Sequence, residues 1–153
     1  MKRDSRFDIL FEPIKIGPVT SKNRFYQVPH CTGMGWQRPN MLAEMRAMKA
    51  EGGWGVINTE YCSIHPSSDD VPHPYVSLWD QSDVRAHHMM TEKLHKHDAL
   101  AGVELWYGGA NASGQYTREI PIDVNSRPNA NGLPYQSRKM DKQDFRDLRQ
   151  WFK

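Results

Sequence analysis

The sequence predicts an α/β fold with parallel strands, and three observations support this prediction. Short apolar segments typical of strands lie at about residues 24–28, 54–62 and 99–107. Helical segments separate them, and a helix between two strands returns the chain so that the strands run parallel. The second segment is apolar without alternation, as in a strand covered on both faces. The chain has 153 residues, enough for one domain with a hydrophobic core.

The first part of the chain predicts a hairpin, a strand and a helix. In "FEPIKIGPVTS" apolar and polar residues alternate around Gly17-Pro18, which favours a tight turn. A strand follows at about Arg24–Val28. The segment "PNMLAEMRAMKAEGG" predicts a helix that ends at Gly52-Gly53. Its expected inner face consists of Leu42, Met45, Met48 and Lys49.

The middle of the chain predicts a strand, a loop, a second helix and a third strand. After "WGVINTEYC" comes the Pro- and Ser-rich loop "SIHPSSDDVPHPY". Asp80 and Asp83 are spaced as in a capping box, so we expect a helix to begin there. Its expected inner stripe is Val84, His88, Met89 or Thr91, and Leu94 or His95. The segment "ALAGVELWYGG" then predicts a third buried strand.

The last part of the chain predicts a long loop and a final helix. Residues 110–140 are rich in Asn, Pro, Ser and Gly, and a helix is expected to begin at Asp141. Three parallel strands make a poor sheet with open edges. We therefore expect residues 1–153 to be the front portion of a larger barrel or doubly wound domain.

Composition excludes several classes of protein. The formal net charge is +2, and no long run of basic residues indicates a nucleic-acid partner. No apolar segment approaches the roughly 20 residues that a membrane helix needs. The two cysteines, Cys31 and Cys62, do not form a disulfide framework. A cytoplasmic protein without membrane or nucleic-acid partners is expected.

Reactive and aromatic side chains cluster where each predicted strand ends. In parallel α/β folds, ligands bind at the carboxyl ends of strands. Here the three ends read "VPHCTG", "NTEYCS" and "VELWYGG". Together they supply His30, Cys31, Glu60, Tyr61, Cys62, Glu104, Trp106 and Tyr107. This repetition at one topological position predicts a binding site.

Several interpretations of this cluster compete. A metal site could use His30, Cys31, Cys62 and His65, but their spacing matches no standard zinc pattern, and we predict no metal. A catalytic thiol at Cys31 would need a base, and the adjacent His30 would point to the opposite face of a strand. Cys62 is best interpreted as a small buried hydrophobic residue. The sequence contains neither GxGxxG nor a P-loop.

Three segments resemble the amine-dehydrogenase branch of the old yellow enzyme family. They are "FDILFEPIKIGPVTSKNRFYQVPHC", "KAEGGWGVINTEYCSI" and "DALAGVELWYGGA". The resemblance extends from about Asp4 to Asn111 and returns at the last helix. It implies an eight-stranded (β/α) barrel, that is, a TIM barrel, that carries FMN at its carboxyl end. Residues 1–153 would be the N-terminal portion of that barrel, about three βα units, and inactive by themselves.

The resemblance also implies roles for individual residues. Cys31 matches a cysteine that is bonded through sulfur to the flavin, and Glu104 matches the residue at the pyrimidine end of the ring. Tyr61 matches a wall of the aromatic cage that receives a methylated ammonium, so it would serve both catalysis and cofactor binding. Its presence favours trimethylamine over a secondary amine. The segment behind the flavin is matched by Val28, Pro29 and His30.

The implied activity is oxidative N-demethylation of a small amine. A 4Fe-4S cluster, an electron-transfer flavoprotein as electron acceptor and a homodimer are expected for the complete enzyme. Three alternatives remain open: an ene-reductase or dienoyl-CoA reductase, a dehydrogenase of another amine such as histamine, and a non-catalytic remnant.

Overall fold

A computed structural model describes residues 4–70 and 75–153. A 3-10 helix, Ser5–Phe11, opens the described chain. The predicted hairpin is confirmed: β1 (Ile14–Ile16) pairs antiparallel with β2 (Val19–Ser21). Its turn uses Gly17, whose φ of +55° is unfavourable for residues with a side chain.

Strand β4 (Val56–Ser63) is the centre of a parallel sheet and is buried on both faces, as predicted. Strand β6 (Leu100–Trp106) pairs with β4 along most of its length. Two short strands share the opposite edge: β3 (Tyr26–Gln27) pairs with the start of β4, and β5 (Val76–Ser77) with its end. The predicted first strand therefore stops at Gln27, and residues 28–31 lie beyond it.

Helices α1 (Pro39–Glu51) and α2 (Gln81–His95) pack against each other and enclose the core, but their buried faces differ from the prediction. Met48 is 66% exposed, whereas Arg46 is fully buried. Leu94 is buried as expected, but Val84 is exposed and Met90 is buried instead. Ala43 and Ala50 are buried because small side chains let the helices and the sheet approach closely. The positions of large apolar residues therefore did not predict the buried faces of the helices. The main core cluster consists of Ala43, Ala50, Ile57, Met90, Leu94 and Ala99.

The prediction that the third strand is buried was wrong. Val103 of β6 is 47% exposed. In the described part of the chain, β6 pairs only with β4, so its other edge is open. An edge strand of this kind exposes backbone donors and acceptors as well as apolar side chains.

The long loop is more ordered than its composition predicts. It contains a 3-10 helix at Gly109–Asn111 and a small parallel pair, β7 (Ile122–Asp123) and β8 (Arg138–Lys139). The predicted final helix is confirmed as α3 (Lys142–Trp151), which has a capping box formed by Asp141 and Asp144. The capping box at the start of α2 is also confirmed. Among the described residues, no helix is long and apolar enough to cross a membrane.

Candidate functional site

The carboxyl ends of β3, β4 and β6 bring most of the predicted site residues to one edge of the sheet. Tyr61 of β4 lies opposite Glu104 of β6 in the strand register. Just before it, the register shifts between Asn58 and Tyr61, so that β4 carries an extra residue there. Such bulges re-aim side chains and are common beside active sites. Glu60 and Tyr61 lie at this irregularity.

Cys31 is exposed and lies close to β4. Partial burial raises the pKa of its thiol above the ordinary 9.0, although a hydrogen bond from the Tyr61 backbone N–H acts in the opposite direction. The carboxylates of Glu60, Glu104 and Asp70 raise the pKa further, because negative charges disfavour a thiolate. At neutral pH the group is therefore a protonated, reachable thiol.

Two fully buried charged residues lie beneath the segment that carries Cys31. Arg46 on α1 donates hydrogen bonds to the side-chain oxygen of Gln27 at 2.9 Å and to the backbone carbonyl of His30 at 2.5 Å. Glu60 accepts hydrogen bonds from the backbone N–H and the hydroxyl of Thr32. Burial lowers the pKa of Arg46, and the nearby Glu60 carboxylate opposes that shift.

Two aromatic rings contact the ring of Tyr61. Its ring centroid lies 4.7 Å from that of Trp106 and 5.3 Å from that of Tyr75. The hydroxyl of Tyr61 donates a hydrogen bond to the Asp70 carboxylate. Burial is the first cause that raises the pKa of Tyr61 well above its usual value, and the bond to Asp70 is the second. Rings beside a carboxylate are suited to hold an organic cation. We call Tyr61, Tyr75 and Trp106 the aromatic group.

The remaining predicted residues are less closely engaged. Val28 is 63% exposed, His30 is exposed, and Pro29 is half-buried. Cys62 is completely buried against Thr59, and burial raises the pKa of its thiol to about 12, which confirms the interpretation of a buried hydrophobic residue. No group of three or more potential metal ligands occurs within residues 4–70 and 75–153.

Sequence reasoning missed three residues that the structure brings to this site: Arg46, Tyr75 and Asp70. Trp106, which the sequence analysis placed in the cluster at the strand ends, is the last residue of β6 and contacts Tyr61. The only local signal for Arg46 was its position midway between Leu42 and Ala50, on the same face of α1. Asp70 and Tyr75 lie between β4 and β5, and no local pattern places them beside Tyr61.

A parallel β/α sheet with reactive groups at its carboxyl edge is the arrangement found at the active sites of (β/α) barrel enzymes. The profile of the NADH:flavin oxidoreductase / NADH oxidase family matches residues 9–153, and the chain belongs to this family. Dimethylamine dehydrogenase from Hyphomicrobium sp. (strain x) is 49% identical over 142 residues, which are 88% of this chain and 19% of that protein. The chain thus spans about a fifth of that relative's length.

Solved structures agree with this assignment. The histamine dehydrogenase from Rhizobium sp. 4-9 is 45% identical, with a TM-score of 0.93 over 98% of this chain and 23% of that one. The old yellow enzyme homologue from Zymomonas mobilis is 22% identical, and with a TM-score of 0.79 over 94% of this chain and 42% of that one it supports the fold alone. The predicted fold, part of a (β/α) barrel of old yellow enzyme type, and the predicted amine-dehydrogenase branch are both confirmed.

Proposed function

We propose that this chain contributes the FMN edge and part of the amine pocket of a flavin-dependent amine dehydrogenase. One observation carries the proposal: the exposed thiol of Cys31 and the aromatic group with Asp70 meet at the same strand ends. A flat ring system fits the residues present. Val28 and Pro29 offer apolar surface, and the carboxylate of Glu104 can accept a hydrogen bond from a flavin imide N–H. Cys31 would bind the flavin through its sulfur.

The proposed reaction is oxidative N-demethylation. An amine and water yield a smaller amine, formaldehyde, two protons and two electrons, and FMN when bound supplies the electron acceptor. The aromatic group would hold the methylated ammonium by cation–π attraction, which contributes about 1–2 kcal/mol for a desolvated cation. The Asp70 carboxylate beside Tyr61 would add an attraction for the cationic form.

The covalent bond to Cys31 is tested by denaturing the intact protein that carries these residues. After acid precipitation and proteolysis, we expect flavin absorbance and the added flavin mass on the peptide that contains Cys31. A Cys31→Ala variant should release all of its flavin, whereas Cys62→Ala should retain it. Free FMN in the supernatant, with none on the wild-type peptide, would contradict the covalent bond.

Dimethylamine is a second candidate substrate, and the 49% identity to dimethylamine dehydrogenase favours it. Tyr61 favours trimethylamine, because a third methyl group enlarges the contact between the cation and the ring. Comparing kcat/KM for the two amines in the intact enzyme decides between them.

The other parts of the proposal concern the complete enzyme. We propose a 4Fe-4S cluster that receives electrons from the flavin, an electron-transfer flavoprotein as acceptor, and a homodimer in the cytoplasm. Iron and sulfide analysis, reduction of the acceptor by the amine-reduced enzyme, and sedimentation would test these three points.

A further inference from the structure

Among residues 4–70 and 75–153, no strand pairs with the segment that carries Cys31. Strand β3 ends at Gln27, and β5 occupies the edge of β4 beyond it. Pro29 cannot donate a backbone hydrogen bond at all. Strand pairing therefore does not hold residues 28–32, and other contacts must fix the backbone around the thiol.

Side chains replace the missing strand contacts on both sides of Cys31. Arg46 donates a hydrogen bond to the backbone carbonyl of His30, the residue before Cys31, at 2.5 Å. Glu60 accepts hydrogen bonds from the backbone N–H and the hydroxyl of Thr32, the residue after Cys31. Arg46 also reaches Gln27, where the strand ends. The two charged residues thus bracket Cys31 at its two neighbours.

The burial of these two residues is costly if packing alone is their role. Both are fully buried, and in the described chain Arg46 Nε and Glu60 Oε2 have no hydrogen-bond partner. Unsatisfied buried polar atoms and buried charges disfavour folding. Apolar residues of similar volume would be expected at these positions if they had no further role. What the two charges do provide is a fixed backbone on either side of the thiol.

We propose that Arg46 and Glu60 are positioning residues that together hold the Cys31 thiol at the strand ends. This inference rests on the proposed role of Cys31 as the flavin-bearing residue. The contacts of Arg46 and Glu60 would explain how the backbone at Cys31 is fixed although no strand pairs with it.

Thiol labelling of the flavin-free intact protein tests the proposal directly. The rate at which N-ethylmaleimide modifies the Cys31 peptide is measured at pH 8, and buried Cys62 reports whether the fold is intact. Arg46→Met and Glu60→Met should each accelerate labelling of Cys31 at least three-fold while Cys62 stays protected. Glu60→Gln is the charge-matched control for Glu60→Met: both lose the carboxylate that raises the Cys31 pKa, but the amide oxygen of Gln still accepts from Thr32. Glu60→Met should therefore label at least three-fold faster than Glu60→Gln. Lys49→Met, one turn further along α1, is the matched control and should leave the rate unchanged.

Two outcomes overturn the proposal. The first is a wild-type labelling rate in Arg46→Met, or a rate in Glu60→Met that does not exceed that of Glu60→Gln, with Cys62 still protected. If those variants unfold and expose Cys62, Thr32→Val decides, since it removes only the hydroxyl bond to Glu60: a two-fold acceleration supports the proposal and an unchanged rate overturns it. Flavin retention on the wild-type Cys31 peptide is scored separately, so loss of the covalent bond and loss of the positioning role are distinguishable.

Discussion

The hydroxyl of Tyr61 donates a hydrogen bond to the carboxylate of Asp70. This bond orients the ring of Tyr61 between Tyr75 and Trp106, on the side of β4 that also meets Cys31. The raised pKa of Tyr61 keeps its hydroxyl protonated, so the ring and the Asp70 carboxyl group together form a polar, aromatic pocket wall. Such a wall is suited to an ammonium and poorly suited to an anion.

Replacing Tyr61 separates the contribution of the ring from that of the hydroxyl. Tyr61→Gln should reduce kcat/KM for trimethylamine about ten-fold, since losing about 1.4 kcal/mol of cation–π attraction corresponds to that factor. Tyr61→Phe keeps the ring and removes only the hydroxyl bond to Asp70, so we expect its kcat/KM within about three-fold of wild type. Steady-state kinetics with trimethylamine and dimethylamine check both variants. An unchanged ratio between the two amines in Tyr61→Gln would show that the ring does not set the preference.

The reactivity of Cys31 should depend on pH in a specific direction. Because its pKa is raised, little thiolate exists at pH 7, and alkylation of the flavin-free protein should accelerate about ten-fold per pH unit towards pH 9. Glu104→Gln removes one of the charges that raise this pKa, so its rate at pH 8 should be about two- to three-fold higher. Peptide mapping after iodoacetamide treatment gives the rates. Glu12→Gln, an exposed carboxylate beyond the first 3-10 helix, serves as the control; equal rates in Glu104→Gln and wild type would contradict the assignment.

Asp69 should stabilise the loop that follows β6. This buried carboxylate accepts backbone hydrogen bonds from Gly114, Tyr116 and Thr117 and a hydroxyl bond from Ser113. In Asp69→Asn, an amide N–H₂ would face some of these donors, and we expect residues 113–117 to lose about 3 kcal/mol of local stability. Hydrogen exchange of those amides provides the measurement. Asp98→Asn, at a position with φ of +53° that Asn tolerates, should be nearly neutral.

The docking of α3 should weaken in acid. His65 stacks on Trp151 with ring centroids 3.7 Å apart, and its Nδ1 accepts from the Ser67 backbone N–H at 3.2 Å. Burial lowers the pKa of His65 below 6.5, against the smaller opposing effect of the carboxylates of Glu119 and Asp147. A folded-state pKa below the unfolded value means that this stability is present above pH 6.5 and is lost as pH falls through the folded value.

Hydrogen-exchange protection factors of α3, measured between pH 7.5 and pH 5, test this expectation. In the wild type, the protection factors of α3 should decrease as the pH is lowered. His65→Phe keeps a ring that can stack but cannot take up a proton, so its protection should not vary over this range. The same pH dependence in both proteins would assign the effect to another group.

Local sequence patterns predicted most of the architecture. The turn at Gly17, the capping box at Asp80 and Asp83, and the doubly covered strand β4, predicted from a segment without alternation, each depend on neighbours within a few residues. All three were confirmed. The convergence of Cys31, Tyr61 and Glu104 was also predictable, because parallel strands place their carboxyl ends at one edge. The match of three segments to one family supplied the proposed chemistry.

What the sequence by itself determined, then, was the order of strands and helices and the edge at which reactive groups gather, since both follow from short-range periodicity. Only the tertiary structure decided which groups surround them. Arg46 reaches His30 across 16 residues, and Glu60 reaches Thr32 across 28. Asp70 and Tyr75 meet Tyr61 only because a loop returns to the end of β4. Contacts of this kind depend on how α1 and the loops pack onto the sheet. Short-range periodicity of the sequence does not reveal that packing, because the contacting residues are far apart in the chain.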